Sequence, residues 1–441
     1  MTRRQIAVAL LLLASLNAFG FIDRVVVSLV AQQLKAEFQL TDLDIGLLVG
    51  LGFAIVNAVA AIPIAWLAER YKRSHVTAAF LLAGSVFTAL VGLSTNVLQL
   101  LACRLGMATG SAATEAPPHS MISDMVPPEK RASAISLFML GVPVAAILGS
   151  FAGGAIAQSY GWRATFFVFG LLGALVSLLC FAFLKEPERK SSASAGVSRP
   201  GTLHVIGVML RSRTIVLITL GACFISFASF GVNTFLPSIL QRVYGLDTAK
   251  AGLTFGLISG IASMVGTLAG GYVSEYLAKR DPRWLLGFPA LGSFIGAPLF
   301  ILGLTSNSLA LAGPLMLVGC FAFYTAMGPC IATLHGSLDS YTRATGSALF
   351  LLVMHLFGQG LGPPLAGFFS DLFSTSLYAA GHFATDCAGA AAQVPGSVCA
   401  AASATGLRYA VITFAAFHFV AGTMLFFAAR SANPNKRKYY G

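Results

Sequence analysis

The chain has 441 residues, of which 56% are hydrophobic and 10% charged, with a mean hydropathy of +0.80 and a formal charge of +12. A soluble domain carries about 25% charged residues, so this composition excludes a water-soluble globule and specifies a chain solvated largely by lipid. The distribution of the basic excess, described below, excludes a nucleic-acid partner.

Twelve apolar runs recur, each long enough to cross a hydrocarbon core of about 30 Å as a helix. They lie near 5–33, 44–67, 76–94, 97–121, 134–157, 164–184, 214–240, 249–276, 284–304, 308–334, 344–372 and 407–430. Met1-Thr2-Arg3-Arg4 ahead of a leucine-rich run has the outline of a signal peptide ending near Ala18. The apolar stretch continues past Asp23-Arg24 through Val30, which predicts an uncleaved first span. Gln158 to Arg163 divides 134–184 into two spans, and the basic, Ser/Pro-rich stretch 185–213 separates six spans from six. The domains expected are therefore 1–184, a linker 185–213, and 214–441 with a basic tail.

With the N-terminus in the cytoplasm, five of the 28 Lys and Arg (Lys35, Arg163, Arg242, Lys250, Arg408) fall in outer loops. Two more (Arg24, Arg104) fall within spans, and the rest lie in cytoplasmic segments. This positive-inside bias predicts that both termini are cytoplasmic, and accounts for the charge without a nucleic acid. Five of the seven cysteines lie in apolar runs, where a thiol behaves as a small hydrophobe. Cys387 and Cys399 share the last outer loop, as a disulfide or as two free thiols. No metal or organic cofactor is expected.

An ionisable group in the bilayer costs about 2.5–3.5 kcal/mol on insertion scales and should face a cavity or a partner. From a rise of 1.5 Å per residue, Arg104 is about 10 Å deep, Asp23 about 15 Å and Glu115 about 27 Å. Arg104 can then reach Asp23, whose protonation would release it, whereas Arg104 and Glu115 are about 16 Å apart along one helix. Asp23, Arg24, Arg104 and Glu115 are the expected proton-coupling set, the proton serving as coupling ion. Asn17 shares a helix face with Arg24, and Ser111 with Arg104. These two, with Phe230, Asn233, Tyr324, His355 and Gln359 from the second half, are the expected substrate cavity. Small-residue stripes mark close helix approach. They are Gly46/Gly50/Ala54/Ala58, Gly141/Ala145/Gly149/Gly153, Gly252/Gly256/Gly260 and Gly358/Gly362/Ala366. Static packing accounts for any single stripe, but together they fall on spans two, five, eight and eleven, where smooth faces would let two halves tilt past each other.

Two motifs carry a family resemblance. Ala65-Trp66-Leu67-Ala68-Glu69-Arg70-Tyr71-Lys72-Arg73 ends the second run, and Gly271 to Lys279 ends the eighth, 206 positions later. Together they resemble the Gly-x-Leu-Ala-Asp-Arg-x-Gly-Arg signature of the major facilitator superfamily and its repeat. Asn17 with Asp23-Arg24, Arg104 with Glu115, Pro127-Pro128-Glu129-Lys130-Arg131-Ala132, Leu140-Gly141-Val142-Pro143-Val144 and Gly161-Trp162-Arg163 are most similar to Spinster-like members. Where that pattern has an acid two turns after the span-four arginine, this chain has Ser111, with Glu115 one turn later.

The resemblance implies an all-α membrane protein of twelve helices in two pseudo-symmetric bundles, a monomer in a bacterial inner membrane. It also implies an alternating-access transporter, proton-coupled, for a lipid-like organic anion. Small organic or sugar acids, or passive uniport or receptor function, are the alternatives. Glu69, Arg70, Arg73, Glu129, Lys130, Arg131 and Glu275 are the expected cytoplasmic gate, latched in the outward-facing state. His119 and Asp124 have an acyltransferase spacing, but no Gly-x-Ser-x-Gly accompanies them, and no enzyme is expected.

Overall fold

In lipid the backbone has only itself to bond to, so an apolar chain of this kind becomes helical wherever it spans. The computed structural model describes residues 3–188, 201–339 and 342–431, which are helices and connecting turns with no strand. Ten stretches are long and apolar enough to cross a membrane. One of these, Ala134–Phe183, holds two spans, because Gly161 takes φ +81° and turns the chain back. The twelfth is a broken helix, Val97–Ala112 followed by Ala116–Met125, interrupted ahead of Pro117-Pro118. The twelve-span architecture is the one expected.

Span one is Arg3–Leu29, and a separate short helix, Ala31–Phe38, follows it on the far side from the termini. Span two is Asp42–Val49 and Leu51–Arg70, span three Arg73–Val91, and span four the broken helix above. Span five is Pro128–Met139 continued from Gly141 to the turn at Gly161, and span six runs on to Phe183. Spans seven to ten are Arg213–Arg242, Thr248–Ala278, Trp284–Thr305 and Leu309–Ser337. Span eleven covers Arg343–His355, Leu356–Gly360 and Leu361–Leu377, and span twelve is Val398–Ser431.

Spans two, five, eight and eleven all depart from regular helix near mid-span. Span two breaks at Gly50 (φ −97°, ψ −99°) and span five restarts at Leu140. Spans eight and eleven each contain a π-helical turn, at Gly256–Ile261 and Leu356–Gly360. Such irregularities concentrate at functional sites, and hydrophobic periodicity cannot reveal them.

The small-residue stripes divide between the two readings, contact across the halves and static packing within one. On span two, Gly46 and Gly50 abut Pro363 and Pro364 of span eleven, and Ala54 meets Gly360. On span eight, Gly252 abuts the Ser150 carbonyl, and Gly256 and Gly260 lie over Ile147 of span five. These two stripes face the other half as expected. The other two do not. Gly141 and Gly149 receive the Ala14 carbonyl and Ile22 of span one, while Gly358 and Gly362 receive Ser226 and the Phe227 carbonyl of span seven. The cross-half faces are instead Ile147, Ser150 and Gly154 on span five, and Gly360, Pro363 and Gly367 on span eleven. The corrected pattern obeys the duplication, with five packing on one as eleven packs on seven.

Residues 185–213 are more than a linker. Glu186 accepts from Arg73 Nε (2.8 Å) and the Ser74 N–H (2.9 Å). Thr202–Arg211 forms an amphipathic helix with Val205 and Met209 buried and Leu203 and Leu210 outward. The basic stretch 189–200 and the tail 432–441 lie outside the described residues. In the last far-side loop, Cys387 and Cys399 are joined as a disulfide.

Candidate functional site

The two halves seal against each other at the far side. The seal is polar. Asp42, at the start of span two, receives Lys35 Nζ (2.5 Å) and both Arg242 amino groups (2.8 and 2.6 Å), together with Ser370 Oγ (2.6 Å). Arg242 also donates to Gln32 Oε1 (2.9 Å) and Ser403 Oγ (3.0 Å), and Gln32 donates to Ser238 Oγ (2.8 Å). Burial, reinforced by the neighbouring Arg242 charge, draws the Lys35 ammonium below its ordinary pKa, and Asp42 opposes that. The sequence reading missed this latch.

Midway across the first half lies a buried charged group. Arg104 has Nη1 3.8 Å from Asp23 Oδ2, so spans one and four do bring this pair together. Arg104 Nε donates to the Leu48 carbonyl (3.2 Å), beside the break at Gly50. Arg24 donates from Nη2 to Ser111 Oγ (3.0 Å), and Ser111 donates on to the Gly20 carbonyl (2.9 Å). The Phe53 ring has Arg24 4.8 Å and Arg104 5.1 Å from its centroid, within cation–π reach of both. Asp23 Oδ1, Arg24 Nε and Arg104 Nη2 are buried without a partner. Asp23 also borders a cavity the size of one water, lined by Ser85, Thr88 and Ser111 among others.

Two residues expected in the cavity serve as joints instead. Asn17 is buried and donates to the Phe138 carbonyl (3.2 Å), tying span one to the break in span five. Ser111 is buried and committed at both ends, so the hydroxyl that replaces the family's acid locks span four to span one. Glu115, at the helix break, is exposed and within electrostatic reach of His355 of the second half.

From the second half, Gln359 comes from the π turn of span eleven and His355 is the last α-helical residue before it. His355 lies within electrostatic reach of Glu115 and Arg24 and hydrogen-bonds the Gln359 side chain, whose Nε2 is left without a partner. Behind them is an aromatic wall. Phe224 packs edge-on to Phe357 and stacks on Phe417, and Phe227 touches both. Asn233 donates to Tyr324 Oη (3.1 Å), and Ser259 Oγ, from the π turn of span eight, bonds Asn233 Oδ1. Phe230 is half-buried on the same helix as Asn233. His335 bonds Ser347 (2.7 Å), and the unanticipated His418 stacks on Phe323.

The residues expected to form a gate lie at the termini side. Glu69, Lys130 and Glu275 are exposed, and exposed Arg70 stacks on Trp66 with its guanidinium 3.7 Å from the ring centroid. Arg131 donates to the Ser123 carbonyl (2.9 Å), and the Glu129 side chain lies outside the described residues. Arg73 is buried between Asp124 (2.6 Å) and Ser120 (2.8 Å) of the first half and Glu186 of the connecting segment. Asp124 is thus engaged by Arg73, and His119 rests edge-on against Phe138.

Comparison with known proteins agrees with this geometry. Residues 12–363 match the family model described as Major Facilitator Superfamily. The chain is 30% identical over 366 residues to an MFS-type efflux pump of Mycolicibacterium smegmatis, covering 83% of this chain and 84% of that one. It is 24% identical over 390 residues to a hexuronate transporter of Bacillus subtilis, covering 83% and 89%. Among solved structures, a bacterial homolog of the human lysosomal transporter Spinster, inward-facing and unoccupied, superposes with a TM-score of 0.86 at 28% identity, covering 98% of both chains.

Proposed function

Because the chain belongs to the Major Facilitator Superfamily, as a Spinster-like membrane transporter and not an enzyme, we propose that it is a proton-coupled secondary transporter. On this reading its substrate is an amphiphilic organic anion, its unit is a monomer, and the far side is the cell exterior. The positive-inside bias then puts the open mouth in the cytoplasm.

One observation carries the reading: two buried arginines share one buried aspartate. With Asp23 ionised, Asp23, Arg24, Arg104 and Glu115 form a neutral set, and Arg104 is held at 3.8 Å from Asp23. A proton reaching Asp23 through the adjoining cavity leaves one positive charge in excess. That charge favours an anion entering between Arg24 and His355, and proton and anion load together. The Phe224–Phe357–Phe417 wall supports an apolar portion in the substrate. A small sugar acid is the second reading, favoured by the resemblance to the hexuronate transporter; it would leave that wall unused.

The test is transport by Asp23→Asn in proteoliposomes. Substrate counterflow should persist while uptake driven by a proton gradient is lost. Unchanged gradient-driven uptake at an unchanged rate removes Asp23 from the mechanism.

A further inference from the structure

The small cavity that Asp23 borders is lined by spans one, three and four alone, so it lies within the first half. Its polar side chains are Asp23, Ser85, Thr88 and Ser111, each more than nine-tenths buried. The transport reading asks Asp23 to be ionised in one state and protonated in the other, and the two forms need different partners. A carboxylate only accepts hydrogen bonds, whereas the neutral acid must also donate one. A guanidinium has no acceptor, so the arginines beside Asp23 can serve only the ionised form.

The two carboxyl oxygens divide along this line. Oδ2 lies 3.8 Å from Arg104 Nη1, whereas Oδ1 is buried with no hydrogen-bond partner among the described residues. A buried polar atom left in that condition is costly and calls for a partner. The side chains around the cavity limit what that partner is. Ser111 is already committed, accepting from Arg24 and donating to the Gly20 carbonyl. Thr88 Oγ1 donates to the Gly84 carbonyl (3.0 Å), which leaves its lone pairs to accept. The Ser85 hydroxyl, on the same span, can turn to donate or to accept.

We propose that this cavity is a binding site for a single water molecule that serves the Asp23 carboxyl in both charge states, with Ser85 and Thr88 as the positioning residues that hold it. With Asp23 ionised, the water donates one hydrogen to Oδ1 and the other to Thr88 Oγ1, and it accepts from the Ser85 hydroxyl. With Oδ1 protonated, the water accepts from that proton and donates to Thr88 and to Ser85, whose hydroxyl has turned. Either way the water makes three hydrogen bonds, the usual number for a buried one. The charged groups bearing on Asp23 are Arg104 of span four and the adjacent Arg24, and span three brings none to the cavity. Two positive charges against one carboxylate disfavour a water-sized cation there. The role of the water in transport rests on the coupling assigned to Asp23 above, but its presence does not.

The first test is a structure of the full chain at a resolution that orders buried waters. A peak should lie between Asp23 and the hydroxyls of Ser85 and Thr88, and Ser85→Ala/Thr88→Val should lose it. The second is infrared difference spectroscopy in nanodiscs between neutral and acid pH, where the Asp23 C=O band is the one that Asp23→Asn abolishes. In the double variant this band should move to higher frequency, because the neutral acid has lost a hydrogen-bond partner. Thr77→Val removes a buried hydroxyl from the same span outside the cavity and should leave the peak and the band unchanged.

A native cavity without a peak, or a band that the double variant leaves unmoved, overturns the proposal. Should the double variant not fold, Thr88→Val, which keeps the side chain's shape, is read by the same band, and an unmoved band again overturns it. A peak in a protein whose Asp23→Asn variant keeps gradient-driven uptake supports the water site and refutes the coupling reading, so the two failures are separate results.

Discussion

Gly252 offers the sharpest test of the cross-half seam. A Cβ there would collide with the Ser150 carbonyl of span five and come within 3.2 Å of Gly154 Cα and 3.3 Å of Leu29 Cδ1. Two of these three are backbone atoms, which cannot rotate aside, so in Gly252→Ala the halves must part locally. Overpacking a close contact costs about 1–3 kcal/mol. The collision exists only while the far side is closed, so nearly all of that cost enters the conformational equilibrium, a shift of roughly 5- to 150-fold toward the far-open state. The gain in helix propensity from glycine to alanine, about 1 kcal/mol, is common to both states and cancels. Gly149→Ala is the control. There the added carbon meets Ile22 of span one, inside the same half, so the cost is common to both states and should lower the melting temperature without moving the equilibrium. Gly271→Ala, with nothing within 4 Å, should leave the equilibrium unchanged and raise the melting temperature by the propensity gain alone. Distances between spin labels on the far-side ends of the two halves, and thermal melting, read the two effects separately. If Gly252→Ala lowers the melting temperature as Gly149→Ala does and leaves the distances unchanged, the seam is not where the halves separate.

Arg242→Gln removes a bidentate contact to Asp42 and bonds to Gln32 and Ser403. Breaking a buried pair costs about 3–5 kcal/mol; Lys35 and Ser370 remain to recover part, so a far-open shift of at least about tenfold should appear as faster labelling of Ser238→Cys, buried in the seal. Cys387→Ser opens a loop whose Gln393 donates to the Gln32 carbonyl (2.8 Å). It should cost about 2–3 kcal/mol, seen as a lower melting temperature that reducing agent reproduces in the unsubstituted protein. Glu37, on the short far-side helix, accepts from Arg163 Nη1 (2.8 Å) and Trp162 Nε1 (2.8 Å), and the Arg163 bonds hold its carboxyl below the ordinary range. A depressed carboxyl contributes stability above its unfolded pKa of about 4.3 and loses it as pH falls through the folded value. Melting temperatures should therefore drop below about pH 4.3 in the native protein and less so in Glu37→Gln, by no more than the equivalent of about 1 kcal/mol for so exposed a pair.

Span number, the turn at Gly161 and the duplication were legible because lipid forces long apolar helices and the duplicated motifs keep a common offset. Asp23 and Arg104 were legible because a buried charge demands a partner and helix rise fixes its depth. The far-side latch was not. Lys35, Arg242 and Asp371 stand 7, 200 and 329 positions from their partners at Asp42, each in a segment that reads as an ordinary span end. A usable signal did exist, since Lys35 and Arg242 are two of only five basic residues that defy the positive-inside bias. Small-residue stripes were half legible. Spacing tells that a face is smooth, but not whether the helix approaching it belongs to the same half, which depends on tertiary rotation. Ser111 was misread for a similar reason: the hydroxyl's share of the helix face was right, but its bonds to Gly20 and Arg24 depend on how closely spans one and four approach.

The latch also limits where substrate can act. Reversing a two-state population from 1:99 to 99:1 takes about 5.5 kcal/mol of differential binding, and a ligand that favours neither state shifts nothing. To close the termini side, a substrate must therefore offset the loss of the Asp42–Arg242 contact and of the bonds from the first N–H groups of spans two and eight to Asp371 and Gln158. It can do so only by making contacts that form as the halves approach, so it must touch both of them. The far side is already closed. What remains is mid-span, where Arg24 and Glu115 face His355 and Gln359 and where unpartnered donors, Arg24 Nε and Gln359 Nε2, stand on opposite halves. Both are N–H groups, so the group that satisfies them is an acceptor, a requirement that the anion proposed above meets and a cation does not.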